Sequence, residues 1–446
     1  MANALGKISG EFEEAASGLL NRLRKRDVCE ADLNFKLYSP GEGHPDWKAV
    51  WEKSGELEAE ALKVIETDDG TPGELIAETQ RIAGALATNA KSMAKNFARI
   101  HRGDHTLIPP YIIWTMHNAC NFRCSYCDNH SGKKYFDLSN EGALDTEQGK
   151  KLLRIVRKDV TGIYFCGGEP TLRADLPELT DYAHGLDYFP LMINTNGSRI
   201  HKMLPDARYS KWLKQMDIII VSLDALNIGR LTDVWGMKKD LCEQVMVNIL
   251  ALRRLQPKVR FKLIVNTVIT PETIGEAESI LDWANDLGIW YSPVPMNCGS
   301  NVNEMLTALP EYRALCAKIL RRKKEGYKIL GSRRLLENLL YSKKVVCRPS
   351  LKPHVDIDGS LIWPCKTKSN LTPVKINVLR HDSLDSAYAA GAKMINPTNI
   401  HGHGPGQCGA DCNWMQNYVS DVYARGLENP LAGGFLAEMF EFTGIV

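Results

Sequence analysis

Two kinds of hydrophobic spacing divide the chain. In residues 1 to about 105, apolar residues recur at the spacing of amphipathic helices. From about residue 106, short apolar runs alternate with helical segments, which predicts parallel strands joined by right-handed crossovers. The six predicted strands span residues 111–116, 162–166, 191–194, 218–223, 261–268 and 289–293. They wind as an open sheet or as a partial barrel, and in both arrangements ligands bind at the carboxyl ends of the strands.

The first predicted helix combines an apolar stripe with a basic run. Its apolar residues are Ile8, Phe12, Ala15, Leu19 and Leu23, and the basic run covers residues 22–26. A basic amphipathic helix can lie on a membrane surface, and it can equally pack on its own protein with a solvated basic face. The sequence therefore leaves a peripheral membrane contact as one of two interpretations.

Two further helices are predicted before the strands begin, at residues 46–65 and 74–100. Gly84 marks a place where the longer helix could break, because glycine weakens a helix interior. The longer helix carries an apolar stripe that we expect to be core. The stripe consists of Ile82, Leu86, Met93, Phe97 and Ile100.

Three closely spaced cysteines follow the first predicted strand. Cys120, Cys124 and Cys127 lie in the segment CNFRCSYC, with C-x3-C-x2-C spacing. Thiolates are preferred ligands of iron–sulfur clusters and zinc. Three of them can hold three irons of a 4Fe–4S cluster and leave the fourth iron open. A zinc loop is the alternative, but its usual second half is missing within about thirty residues of Cys127.

The cysteine segment, with an aromatic residue at Tyr126, resembles the signature of the radical S-adenosylmethionine (radical SAM) superfamily. The resemblance implies a partial (βα)6 TIM-like barrel. It also implies a 4Fe–4S cluster whose open iron binds the amino and carboxyl groups of SAM. One electron then cleaves SAM to methionine and a 5′-deoxyadenosyl radical, which abstracts hydrogen from an unactivated C–H bond.

Motifs at the ends of the next strands extend the resemblance. Residues 167–170 match the family's GGEP motif, whose backbone and carboxylate hold the SAM amino group. Residues 195–197 match a T-N-G motif and residues 222–224 an S-L-D motif. Asn-Gly alone would also suit a plain turn, and Asn266 could be purely structural. The resemblance implies SAM contacts at Tyr126, Gly167, Gly168, Glu169, Pro170, Asn194, Thr195, Asn196, Ser222, Asp224 and Asn266.

Several polar residues near these motifs have two interpretations. Residues 128–130 follow the last cysteine, His117 precedes the loop, and Arg173 follows the GGEP motif. Residues 128–130 and His117 could contact substrate or SAM or be structural, whereas Arg173 could pair with a carboxylate or phosphate or lie at the surface. Cys166 ends the second strand, where a buried cysteine and a further cluster ligand are the two alternatives.

The C-terminal segment contains a second cysteine set. Residues 354–365 predict a hairpin around an Asp-Gly turn. This segment resembles the auxiliary-cluster modules of SPASM and Twitch radical SAM enzymes. A full SPASM module uses seven cysteines, and the spacing from Gly359 to Cys365 is one residue longer than usual. The resemblance implies a Twitch-like 4Fe–4S cluster, with a structural zinc site as the alternative. The implied ligands are Cys347, Cys365, Cys408 and Cys412.

Composition limits the remaining possibilities. A chain of 446 residues holds two or three domains. We expect a helical region at 1–105, a radical SAM barrel at 106–300 and an α+β auxiliary-cluster domain at 301–446. The net charge of +2 gives no basis for nucleic-acid binding. The N-terminal residues lack an apolar signal core, and no apolar run approaches the roughly 18 residues of a membrane span. A cytoplasmic location is expected.

The resemblance predicts an enzyme that receives its electron from a donor such as flavodoxin or ferredoxin. A small-molecule or lipid-like substrate is favoured, because the helical first hundred residues do not resemble a strand-rich domain that binds a peptide leader. A maturase of a ribosomal peptide or protein is the alternative. A non-enzymatic iron–sulfur or zinc interaction protein is the alternative of another class, but it would not need the GGEP, T-N-G and S-L-D motifs.

Overall fold

A computed structural model of the chain describes most of the predicted barrel. The described residues are 43–67, 71–104, 106–127, 141–298, 301–345, 347–351, 353–365, 375–394 and 415–428. The predicted first helix at 8–23, residues 128–130, Cys408 and Cys412 lie outside the described residues.

The main sheet has nine strands in the order β11-β10-β9-β1-β2-β3-β4-β5-β6. Strands β1 to β6 are parallel, and each pairs with the next in sequence. A sheet wound in one direction fits the predicted partial barrel, because a doubly wound sheet reverses its strand order. The strands are β1 Tyr111–Thr115, β2 Gly162–Cys166, β3 Leu191–Thr195, β4 Ile218–Ser222, β5 Lys262–Ile269, β6 Trp290–Pro295, β7 Asn297–Cys298, β8 Asn301–Val302, β9 His354–Val355, β10 Ser360–Leu361 and β11 Ile376–Asn377.

Helices follow the barrel strands and cover one face of the sheet. This mixed α/β order was predicted from the alternation of apolar runs and helical segments. The helices are α1 Trp47–Ala61, α2 Pro72–His101, α3 Thr146–Arg157, α4 Leu176–Gly185, α5 Ile200–Met203, α6 Trp212–Gln215, α7 Ile228–Trp235, α8 Lys239–Leu255, α9 Ile274–Asp286, α10 Glu304–Ala308, α11 Pro310–Lys324, α12 Arg333–Leu340, α13 Leu384–Met394 and α14 Gln416–Glu428.

The two faces of the barrel strands differ in their neighbours. Trp114, Phe165 and Val221 are fully buried in the large core that the strands share with the helices. The alternate residues form a separate cluster that contains strand residues such as Met192 and Ile264 and no residue of α1 to α9. We call this second face the inner face. Because side chains alternate along a strand, the inner face also carries several of the predicted site residues.

Polar side chains attach α2 to the barrel. The Asn96 amide donates to the Ile108 carbonyl at 2.7 Å and accepts from the Ile108 N–H at 2.8 Å. Ser92 donates to the carbonyl of Asp159. The prediction that the apolar stripe is core is wrong in part, because Leu86 is 38% exposed and Phe97 is 41% exposed. Buried hydrogen bonds on one helix face replaced the expected apolar contact.

Helix α2 runs without a break through Gly84, so the break considered at that glycine does not occur. A Cβ at Gly84 would meet no atom within 4 Å. Gly84→Ala should therefore raise the free energy of unfolding by about 0.5–1 kcal/mol, because alanine loses less backbone entropy in a helix. Thermal or urea denaturation measures the change. Gly103→Ala is the matched control and should destabilise, since Gly103 has φ of +74°.

The C-terminal hairpin extends the barrel sheet. Strands β9 and β10 are antiparallel, and β9 pairs with β1 in parallel. Gly359 has φ of +77°, and its N–H donates to the carbonyl of Asp356. The predicted Asp-Gly turn is therefore confirmed. The hairpin places buried Cys365 after β10, in the part of the chain that continues the sheet beyond β1. None of the described helices is long and apolar enough to cross a membrane.

Candidate active site

The cysteine loop leaves the carboxyl end of β1. Cys120 is 7% exposed, and Cys124 and Cys127 are half-buried. Burial raises the pKa of the Cys120 thiol to about 11 and holds the pKa of Cys124 well above its usual range, and the neighbouring cysteines raise both further. All three thiols lie on the one loop that follows β1. None of the nine cysteines that the structure describes forms a disulfide.

The donor set of this loop fits the predicted cluster. Cluster ligands are thiolates, and three thiols converge on one loop. Within the described ranges, no three His, Cys, Asp or Glu side chains are arranged to hold a single metal ion. A cluster distributes its ligands over several irons, so it does not require such an arrangement.

The GGEP motif packs directly against the segment that leads into the cysteine loop. The Gly168 N–H donates to the His117 carbonyl at 2.9 Å, and the Glu169 N–H donates to the Ala119 carbonyl at 2.8 Å. A Cβ on Gly168 would lie 1.9 Å from the Ala119 carbonyl oxygen, and Gly167 has φ of +139°. The two glycines therefore permit close contact between two backbone segments.

The side chain of His117 completes this contact. Its Nε2 lies 2.6 Å from the carbonyl oxygen of Glu169. Burial lowers the pKa of His117, although the bond to Glu169 opposes the shift. A neutral ring with a proton on Nε2 donates this hydrogen bond. His117 therefore binds the backbone of the GGEP motif. A structural contact of this kind was one of its two predicted roles.

The Glu169 carboxylate is buried and surrounded by donors. Oε1 accepts from the N–H and hydroxyl of Thr171 at 3.0 and 2.6 Å and from the Thr195 hydroxyl at 2.6 Å. Oε2 accepts from the Asn196 N–H at 2.6 Å. Burial raises the pKa of Glu169, and these hydrogen bonds oppose the shift. Among the described residues Oε2 has this one donor, so it retains capacity for another.

The T-N-G motif connects the third strand to the cysteine loop. Asn196 Nδ2 donates to Asn121 Oδ1 at 2.9 Å, and Asn121 Nδ2 donates to the Ser198 hydroxyl at 2.9 Å. Asn248 on α8 holds the same turn by donating to the Gly197 carbonyl at 2.8 Å. Sequence reasoning missed Asn121, Ser198 and Asn248. Asn121 could have been found because it lies within the cysteine signature. Asn248 lies in a helical segment, where no sequence pattern indicates a contact with the site.

A row of polar side chains crosses the inner face. Ser222 pairs with Asn266, and Asn266 pairs with Ser292. All three are half-buried. Asn194 lies on the same face, and its Oδ1 is buried without a hydrogen-bond partner among the described residues. The structure therefore brings together Asn194, Ser222 and Asn266. It also places Ser292 in this row, which the sequence did not predict because the segment around Ser292 is apolar.

Asp224 binds donors from three elements of the protein. Its Oδ2 accepts from the Tyr126 hydroxyl and from Trp235 Nε1, both at 2.7 Å. Its Oδ1 accepts from the Val268 N–H at 2.8 Å. Burial raises the pKa of Asp224, and these three hydrogen bonds oppose the shift. Two of the predicted SAM contacts, Tyr126 and Asp224, thus bind each other.

The residues around the GGEP motif have structural contacts. Pro170 begins a 3-10 turn, Pro170–Leu172, whose N-cap is Glu169. Arg173 forms an ion pair with Asp175 at 2.7 Å and donates to the carbonyl of Met116 at 2.8 Å. Arg173 therefore pairs with a carboxylate, one of its two predicted roles, and that carboxylate belongs to the chain itself. Cys166 lies at the end of β2 and pairs with Thr115 across the sheet.

Comparison with protein families identifies the domain that contains this site. The family model of the radical SAM superfamily matches residues 114–284. These residues cover the cysteine loop, the GGEP motif and strands β2 to β5. The chain therefore contains a radical SAM superfamily domain at residues 114–284. This match favours the predicted enzyme over the alternative of a non-enzymatic interaction protein.

Curated relatives match parts of the chain. It is 35% identical over 131 residues to an Fe-coproporphyrin III synthase of Methanosarcina barkeri, covering 29% of this chain and 30% of that protein. It is 28% identical to a GTP 3′,8-cyclase of Helicobacter pylori, covering 46% of this chain and 61% of that protein. The chain thus spans less than two thirds of the length of these relatives.

Solved structures resemble the chain more distantly. SuiB of Streptococcus suis bound to S-adenosylmethionine has a TM-score of 0.49 and 17% sequence identity, covering 68% of this chain and 70% of that chain.

Proposed function

We propose that this chain cleaves SAM reductively and uses the resulting 5′-deoxyadenosyl radical to abstract hydrogen from an unactivated C–H bond. Cys120, Cys124 and Cys127 would hold the 4Fe–4S cluster. The observation that supports this proposal is the meeting of three separate motifs at the carboxyl ends of β1 to β3. The GGEP and T-N-G motifs both bind the cysteine loop through hydrogen bonds.

The residues of the chain contribute binding, orientation and a dry site. When bound, the cluster would supply the electron that cleaves SAM. We propose that flavodoxin or ferredoxin donates this electron to the cluster. Glu169 Oε2 accepts a hydrogen bond from the Asn196 N–H and has acceptor capacity for the ammonium group of SAM. The amide and hydroxyl side chains of the inner face suit the ribose and carboxylate of SAM. The fixed loop keeps these groups oriented, and orientation is a large part of catalysis.

The experiment for the whole proposal is an anaerobic assay. Reconstituted protein with SAM and dithionite should form 5′-deoxyadenosine slowly, even without a substrate. Mass spectrometry and chromatography measure the product. Protein that holds a full cluster, binds SAM and forms no 5′-deoxyadenosine above the rate of free cluster would contradict the proposal.

Glu169→Gln should weaken SAM binding by about tenfold, because replacing a buried carboxylate weakens a charged hydrogen bond worth roughly 1.5–3 kcal/mol. The glutamine amide also places its NH₂ group against at least one of the four groups that donate hydrogen bonds to the Glu169 carboxylate. Calorimetric titration of the cluster-loaded protein with SAM measures the dissociation constant.

Glu178→Gln is the matched control, because Glu178 carries the same charge at an exposed position of helix α4 and contacts only Lys150 among the ion pairs described. Its SAM affinity should not change. An unchanged dissociation constant in folded Glu169→Gln protein would remove Glu169 from the role of binding the amino group.

We propose a small-molecule or lipid-like substrate. The described region before the barrel is helical, at Trp47–Ala61 and Pro72–His101, and it has no strand that could bind a peptide leader. The names of the two curated relatives refer to a porphyrin and a nucleotide, which are small molecules. Incubating the loaded protein with candidate metabolites should yield a product that depends on SAM in mass spectra. Turnover of a peptide alone would favour the maturase alternative.

We also propose that Cys347, Cys365, Cys408 and Cys412 hold a second 4Fe–4S cluster. Cys365 is buried after the hairpin, Cys347 is half-buried, and both lie in the part of the chain that continues the sheet beyond β1. Four thiolates would close the cluster, which favours electron relay or a structural role.

Cys365→Ser should lose about four of about eight irons per chain. Cys298→Ser is the matched control, because Cys298 is exposed on β7, which pairs with β8 in a separate two-stranded sheet. Iron and zinc analysis measures the loss. One zinc per chain that disappears in Cys365→Ser would instead support a structural zinc site.

A further inference from the structure

The half of the cysteine loop that contains Cys124 and Cys127 is attached to helix α7. The Arg123 N–H donates to the Trp235 carbonyl at 2.9 Å, and the Ser125 N–H donates to the Val234 carbonyl at 2.9 Å. Carbonyls in the last turn of a helix have no partner within the helix. The end of α7 therefore offers two acceptors that fit the amides of the loop.

Side-chain contacts strengthen the same attachment. The rings of Phe122 and Trp235 lie 5.0 Å apart, between centroids. Gly236 ends the helix with φ of +61°, and a Cβ there would lie 3.0 Å from the Cβ of Arg123. The helix therefore ends directly against the loop. A contact this close transmits any displacement of Trp235 to the cysteines.

Asp224 connects this attachment to the barrel. Its carboxylate is 0% exposed and accepts from Tyr126 in the loop, Trp235 at the end of α7 and Val268 in β5. A buried carboxylate is tolerated where such donors satisfy it. Each of the three donors comes from a different element, so one carboxylate fixes their relative positions.

We infer that Asp224 is a positioning residue that holds the Cys124–Cys127 half of the loop in the geometry that the cluster needs. The inference rests on the proposed function, because it assumes that the loop carries the cluster. It assigns the aspartate of the S-L-D motif to the protein scaffold rather than to the ribose or the substrate. SAM would then be affected by Asp224 only through the cluster and Tyr126.

The experiment measures how fast a chelator removes metal from the loaded full chain. Asp224→Asn keeps the size of the side chain but replaces one acceptor oxygen with an NH₂ group, which opposes one of the three donors. Tyr126→Phe removes one donor and keeps the ring, and Trp235→Phe removes one donor and replaces the indole with a smaller aromatic ring. Asp233→Asn is the matched control, since Asp233 loses the same charge on the exposed side of α7.

Asp224→Asn should release iron about tenfold faster than the original chain, which corresponds to roughly 1.4 kcal/mol. Tyr126→Phe and Trp235→Phe should each release it a few fold faster, and Asp233→Asn should show no change. The electron paramagnetic resonance signal of the reduced first cluster should broaden in Asp224→Asn, and SAM should restore less of the original line shape. A change in general stability alone would not alter that signal.

Two results would overturn the inference. The first is that folded Tyr126→Phe and Trp235→Phe release iron at the same rate as the unsubstituted chain. These two variants test the inference even if Asp224→Asn does not fold. The other is a faster release combined with an unchanged spectrum and SAM affinity, which would indicate loss of stability alone. Metal analysis separates this test from the proposed function. If the loop holds zinc, the proposed function fails, but the rates of metal release still test whether Asp224 positions the loop.

Discussion

Replacing Cys120, Cys124 and Cys127 together with alanine should abolish SAM cleavage. Without these thiolates the first cluster has no ligands, and iron should fall from about eight to about four per chain. Formation of 5′-deoxyadenosine should drop to the rate measured without protein. Iron analysis and chromatography of the anaerobic assay measure the two effects on the same sample.

The triple change needs a control that also removes buried thiols. Cys242 and Cys316 are buried in helices α8 and α11. Alanine at both positions removes sulfur atoms from the core but no proposed ligand. That double variant should keep its iron and its SAM cleavage. Retention of all the iron in the triple variant would place the first cluster elsewhere in the chain.

The fold was largely predictable because the barrel strands have a simple hydrophobic pattern. Strand β2 spans Gly162–Cys166 as predicted, and the other five boundaries differ by one or two residues. Each strand is buried on one face by a helix, so its apolar run is clear. The extent of helix α2 was predicted well, but its buried face was not, because the polar residues Arg81 and Asn96 are among its buried residues. Buried polar groups that find partners far away in sequence leave no periodic signal.

The chemistry of the site was predictable where local motifs carry it. The GGEP and T-N-G motifs lie at the predicted strand ends and meet at the cysteine loop. Their partners were not predictable. Ser292 lies in an apolar segment, and Asn248 lies in a helix. Their roles depend on strand register and helix packing, which follow from tertiary structure alone.

The role of the second glycine in the GGEP motif, Gly168, also depends on tertiary structure. The family resemblance implied that the backbone of this motif holds the SAM amino group, and a glycine there would permit a close approach to the ligand. The structure shows that Gly168 approaches Ala119 in the chain itself. Both interpretations predict a glycine, but they predict different effects of alanine. Alanine in the first case would weaken SAM binding, and in the second it would displace the cysteine loop.

Gly168→Ala should therefore prevent the first cluster from being retained. The new Cβ would lie 1.9 Å from the Ala119 carbonyl oxygen and 2.5 Å from that of Asn118. Both contacts are with backbone, which cannot move aside as a flexible side chain does. Overpacking of this kind typically costs about 1–3 kcal/mol. Displacement also breaks the Gly168 hydrogen bond to His117. We expect loss of about four irons per chain after desalting.

The outcome separates the two roles of Gly168 if SAM binding and iron are measured together. Gly275→Ala is the matched control, because Gly275 lies in α9 and a Cβ there meets no atom within 4 Å. The control should keep both iron and SAM affinity. Full iron with weakened SAM binding in Gly168→Ala would assign the glycine to the ligand. Loss of iron in a folded chain would assign it to the cysteine loop, because a missing ligand contact alone leaves the cluster in place.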